Sequence, residues 1–198
     1  MNIFVLDKSP IISAQMQCDK HIVKMPLETA QMLCSVLHRH GQGHLVPYKE
    51  AHKNHPCTLW AGDSCANFSW LVQHGMELCF EYTRRYNKIH KCQQVIMDIR
   101  ETDWGTLQYK PMEITPHPQC MPDKYKCIRE GGYLTEQMSS QYGGNDTVLA
   151  YRKYYLNDKK DIAKWEKSRP MPDWYASGEY KTLLFSEMGA VELDAYDG

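Results

Sequence analysis

The sequence predicts a mainly α-helical fold: one compact domain with a short N-terminal strand and long structured loops. Apolar residues recur at three-or-four spacing over two long stretches, residues 11–40 and 64–86. The β-branched and aromatic content of a strand is concentrated in the opening NIFVLD. Proline and glycine gather between residues 105 and 145, in runs such as ITPHPQCMPDKYK and REGGYL, which read as one long structured loop. A chain of 198 residues can bury about 70% of the surface its unfolded form exposes. A single globular domain over residues 1–185 is therefore expected, followed by an acidic tail over 186–198 that holds four acids and no base.

Taken in order, NIFVLD is the expected strand, stopped by KSP and tucked under helices. From about Ile11 to His40, the residues Ile22, Met25, Thr29, Met32, Leu33, Val36 and Leu37 form a buried stripe. Lys20, Lys24, Glu28 and Gln31 form the stripe beside it. Pro26 interrupts this pattern, because it has no N–H for the carbonyl four residues back and disfavours helical geometry at Met25. The helix either kinks at Pro26 or starts there. In the second case Lys24 would lie beside free backbone N–H groups, in an anion pocket. GQGHLVPYKEAHKNHP reads as an exposed polar loop, Ser64 to Tyr86 as a long amphipathic helix, and Cys92 to Arg100 as a weaker one. Asn145 is placed to cap a final helix, DTVLAYRKYYLNDKKDIAKW.

Composition narrows the function. A formal net charge of −1 excludes gripping nucleic acid by bulk charge alone. Residues 1–95, however, hold ten Lys/Arg against seven Asp/Glu and eight of the nine histidines, so a polyanion would dock on that half. No run of about 18 apolar residues exists and the opening lacks the basic region of a signal peptide, which implies no membrane partner and a cytoplasmic location. The eight cysteines contain no CxxC pair and read as buried free thiols in a reducing compartment.

Three constellations carry chemistry. In CDKHIVKMPLETAQML, Lys20, His21, Lys24 and Glu28 unite cations for a phosphate with a carboxylate that can take a proton from a nucleophile. Lys24, Glu28 and His21 are the catalytic candidates, and Lys24 could itself be the nucleophile. The plainer alternative is a solvated stripe in which Lys24 and Glu28 neutralise each other across one turn. In AHKNHPCTLW, His52, Asn54 and His55 sit on a proline-terminated turn and could reach a base or phosphate. With His38, His40 and His44 they invite a metal reading, but no HExxH or Cys/His spacing supports it; no metal and no cofactor are expected. Arg84 and Arg85, at the end of the long helix, join Lys20 as phosphate-binding candidates. Last, Tyr151, Tyr154, Tyr155, Trp165, Trp174 and Tyr175 alternate with Arg152, Lys153, Lys159, Lys164 and Arg169. Stacking aromatics with cations fit a nucleic-acid face, for which Arg152, Lys153, Tyr155 and Trp174 are the candidates, while core packing with a polar handle is the alternative.

A basic-acidic cluster before a proline, an NHP turn, a long helix ending in TRRY and a closing RPMPDWY together resemble the layout of the pyrimidine-dimer DNA glycosylases. In that layout Trp165 through Tyr175 correspond to the family's closing aromatic segment. The resemblance implies catalysis by the free amine of a small N-terminal residue and a glutamate just before the proline of the first long helix. This sequence departs at both places: Asn2 is too bulky for efficient methionine removal, and Lys24 stands two before Pro26.

The residues are also similar to what phage thymine-hypermodification enzymes require. There a pyrophosphorylated hydroxymethyl group on the base is displaced by an amine or amino acid. The expectation is therefore a phage-type enzyme acting on pyrimidine bases in DNA, by group transfer that displaces phosphate or pyrophosphate, with DNA and an amine donor as partners. Base excision is the enzymatic alternative, and a non-enzymatic binding or inhibitor protein the other.

Overall fold

The structure is a computed structural model that describes residues 1–104, 107, 110–129, 132–133 and 146–178. The expected acidic tail, the capping Asn145 and part of the Pro/Gly-rich loop lie outside the described residues. Among the described residues, seven α-helices account for the mainly helical fold: α1 (Pro10–Gln15), α2 (Asp19–Arg39), α3 (Pro56–Asp63), α4 (Cys65–Tyr86), α5 (Gln93–Glu101), α6 (Asp146–Asn157) and α7 (Asp173–Ser177). A two-residue antiparallel pair, β1 (Ile128–Arg129) and β2 (Gly132–Tyr133), completes it, with Ile128 opposite Tyr133 and Arg129 opposite Gly132. Among the described residues no helix is long and apolar enough to cross a membrane.

The core forms where α2 and α1 lie against α4. The expected stripe of α2, including Ile22, Met25, Thr29, Met32, Leu33, Val36 and Leu37, is buried, and faces Phe68, Leu71, Val72, Leu78 and Cys79 of α4 within one apolar cluster. Gly75 permits the close approach: a Cβ there would stand 2.6 Å from Cγ2 of Thr29. Ser64 caps α4 by accepting the N–H groups of Ala66 and Asn67, and Asn87 closes it in the left-handed region at φ 53°.

Four expectations are corrected. The opening residues do not form a strand. Phe4 takes a positive φ of 57°, which breaks extended geometry, and side chains rather than a neighbouring strand satisfy the backbone. Gln17 donates to the Ile3 carbonyl at 2.9 Å, Ser13 accepts the Leu6 N–H at 3.0 Å, and Arg152 donates to the Leu6 carbonyl at 3.0 Å. The single helix expected from Ile11 to His40 is two helices, broken at residues 16–18. Pro26 does not start α2 but lies buried inside it, so Lys24 stands in the helix body, away from the free N–H groups of a helix start. Finally, Pro56 starts α3 instead of ending a turn. His55 is its N-cap, with Nδ1 accepting the Cys57 N–H at 3.2 Å.

Candidate active site

The N-terminal segment and α2 form one wall of a cavity of about 810 Å³, and residues 154–167 form the opposite wall. Glu28 is 9% exposed and lines it. Its Oε2 accepts the backbone N–H of Asn2 at 2.8 Å and lies 3.8 Å from the amine of Met1. Its Oε1 takes the Lys24 ammonium at 3.0 Å, and the Lys24 side chain remains 70% exposed at the cavity mouth. One carboxylate thus holds two amines, a disposition that suits proton exchange with a nitrogen nucleophile.

His21 lines the cavity from beneath. Its ring stacks on Phe4 with centroids 4.2 Å apart, and Nδ1 is hydrogen-bonded to the Tyr155 hydroxyl. Burial, aided by the charges of Lys159 and Lys24, lowers its pKa to about 3, so the ring is neutral near pH 7. Around the mouth stand Lys20 and Lys24 from α2, and Lys159, Lys164 and Lys167 from the opposite wall. These five lysines outnumber the carboxylates of Asp19, Glu28 and Glu166 in the same lining, a balance that favours an anionic substrate.

The lysine wall is held in place by a buried ion network behind the cavity. Arg85 donates to Asp19 at 3.0 Å and to the carbonyls of Gln17 at 2.8 Å and Gln15 at 2.9 Å, and also pairs with Glu81. Asp19 in turn accepts the Glu166 N–H at 2.7 Å, while its own N–H donates to the Lys164 carbonyl at 2.9 Å. Glu81 also accepts from Arg169. Burial acts to raise the Glu81 pKa, but the hydrogen bonds and charges of Arg169 and Arg85 outweigh it and lower the net value.

The candidates read from sequence divide by position. Lys20, His21, Lys24 and Glu28 share the cavity. His55, half-buried, feels the charges of the Met1 amine, His52 and Glu28, while His52 and Asn54 are exposed on the preceding turn. Arg84 is exposed and pairs with Glu81 at 3.2 Å, and Arg85 is buried in its network; neither lines the cavity. Tyr155, Lys153 and Trp174 are buried, and Arg152 lies over the Trp174 ring at 5.2 Å. This group is chiefly packing. His38 and His40 contact the carbonyls of Tyr48 and Gly62 at 2.9 and 3.2 Å. Lys159 and Lys164 are legible only as part of the aromatic-basic constellation, and the approach of the N-terminal amine to a glutamate is implied by the family resemblance alone, not by any local spacing.

Residues 1–94 match the family model of pyrimidine dimer DNA glycosylase. The resemblance to this family is thereby shown for the part of the chain that carries Glu28, Lys24 and His21. No curated protein and no solved structure matches the chain. The family match ends before the segment that brings Lys159, Lys164 and Lys167 to the cavity.

Proposed function

We propose that the protein is a DNA-base-processing enzyme of the pyrimidine dimer DNA glycosylase type, which excises a modified or damaged pyrimidine through an amine paired with Glu28. The observation that carries this reading is the contact of Lys24 Nζ with Glu28 Oε1 at 3.0 Å at the mouth of the cavity. The family resemblance calls for an N-terminal amine beside a glutamate; here the Met1 amine lies 3.8 Å from Glu28 Oε2, while Lys24, one turn before Glu28, brings the nearer amine to its other oxygen.

In this mechanism Glu28 takes a proton from the Lys24 ammonium. The freed amine attacks C1′ of the target nucleotide, the N–C1′ bond forms as the glycosidic bond breaks, and the departing base takes up a proton. The nitrogen, now bonded to C1′, gives up a further proton and its lone pair expels O4′, which takes up a proton as the C1′–O4′ bond breaks; water hydrolyses the resulting ring-opened imine and frees the lysine. The surrounding lysines meet the flanking phosphates. Extruding the nucleotide costs a few kcal/mol, which those contacts and stacking in the cavity offset.

Group transfer in thymine hypermodification of phage DNA is the second reading, and the crowding of Lys20, Lys24, Lys159, Lys164 and Lys167 favours it. A pyrophosphate leaving group uses such a ring of cations more fully than a departing base does. An amine donor would then enter beside Glu28. Mass spectrometry of DNA incubated with the protein separates the readings: abasic sites are expected for excision, with the base released free or, from a thymine dimer, left joined to its neighbour, and a heavier nucleoside for transfer. An unchanged profile across thymine dimers, hydroxymethyluracil and its pyrophosphate contradicts both.

A further inference from the structure

We propose that His55, Cys57 and Cys120 form a binding site for a soft divalent cation of the zinc class, beside the floor of the cavity. One ligand atom from each residue lies within 4.8 Å of the others. The two sulfurs are 3.5 Å apart. Sulfurs sharing a tetrahedral zinc at about 2.3 Å each would be roughly 3.8 Å apart, whereas a disulfide would bring them to about 2.0 Å. The observed spacing is close to a coordination edge and far from a bond.

The backbone holds these groups before any cation arrives. His55 and Cys57 flank Pro56 on the first turn of α3. Cys120 comes from the loop before β1, where its carbonyl accepts the Asn2 side-chain N–H at 2.7 Å and its N–H reaches the Tyr151 hydroxyl at 3.3 Å. The Cys57 side is buried, but Cys120 lines the cavity, which provides an entry path.

The donor set selects the metal. Two thiolates and an imidazole suit zinc, whereas calcium and magnesium require oxygen ligands. Binding releases the two thiol protons to solvent, and the His55 lone pair now accepting the Cys57 N–H turns to the cation. Three protein ligands leave a fourth position for water or another exogenous ligand. The site stands whether the neighbouring cavity excises or transfers.

The test is titration of the reduced full chain with Co²⁺ alone. One equivalent should bind with thiolate-to-cobalt charge-transfer absorption and be displaced by Zn²⁺. The band should vanish in Cys57→Ser and Cys120→Ser and persist in Cys65→Ser. No band, or a band retained in both ligand variants, overturns the proposal. A second readout needs no variant: Zn²⁺ should slow alkylation of Cys120 in the wild-type chain, followed by peptide mass spectrometry, and unchanged labelling overturns the site.

Discussion

Glu28 accepts the backbone N–H of Asn2 at 2.8 Å across 26 residues, so the carboxylate that faces Lys24 is itself fixed by the N-terminal segment. This bond aims one oxygen at the backbone and leaves the other for the amine. Glu28→Gln keeps the shape and an acceptor for Asn2 but removes the proton acceptor. Turnover should fall by about 10²- to 10⁴-fold with the melting temperature little changed. Retained turnover in steady-state assays would remove Glu28 from the chemistry.

Arg85 joins α1, the start of α2 and α4 through Gln15, Gln17, Asp19 and Glu81. Arg85→Leu removes the arginine that pairs with Asp19 and leaves Glu81 to Arg84 and Arg169, and should destabilise the fold by about 3–5 kcal/mol, measured by urea unfolding. Loss of the Asp19 anchor should also loosen the lysine wall and weaken DNA binding.

His21, His74 and His117 are each lowered from 6.5 to about 3, by burial first; the charges of Lys159 and Lys24 add to this at His21 and that of His117 at His74. The unfolded chain protonates below pH 6.5 while the folded chain does not. Stability is therefore full above pH 6.5 and declines as pH falls toward 3, by up to about 1.4 kcal/mol per pH unit for each histidine. Thermal unfolding between pH 7.5 and 4.5 should show this fall. A flat profile would mean that the rings are charged in the fold.

Lys159, Lys164 and Lys167 face the cavity mouth from the segment beyond the family match. Replacing each with glutamine should weaken DNA binding and reduce the slope of log K against log salt by up to about 0.9 per lysine for duplex DNA. Fluorescence anisotropy over a salt series measures it. An unchanged slope in the triple variant would place DNA elsewhere.

The parts of the fold legible in the sequence were those with local causes. The stripe from Ile22 to Leu37 and the capped helix ending at Tyr86 follow from side-chain period and Ser64, and both are present. The opening NIFVLD carries strand composition, but composition does not reveal that Phe4 adopts positive φ or that Gln17, Ser13 and Arg152 satisfy its backbone. The same limit applies at the site. Lys24 and Glu28 were visible because they are neighbours on one helix, whereas Cys57 and Cys120, or Asp19 and Glu166, meet only through tertiary packing. Arg85 reads as a phosphate-binding candidate from residue type, and Tyr155 as either a stacking or a packing residue; both are buried.

Borohydride trapping tests the central claim most directly. Under single-turnover conditions with DNA containing a damaged or modified pyrimidine, the wild-type chain should give a covalent protein–DNA adduct whose cross-linked peptide contains Lys24, and Lys24→Ala should lose it. No adduct despite base release, or an adduct undiminished in Lys24→Ala, would contradict Lys24 as the amine that attacks the sugar.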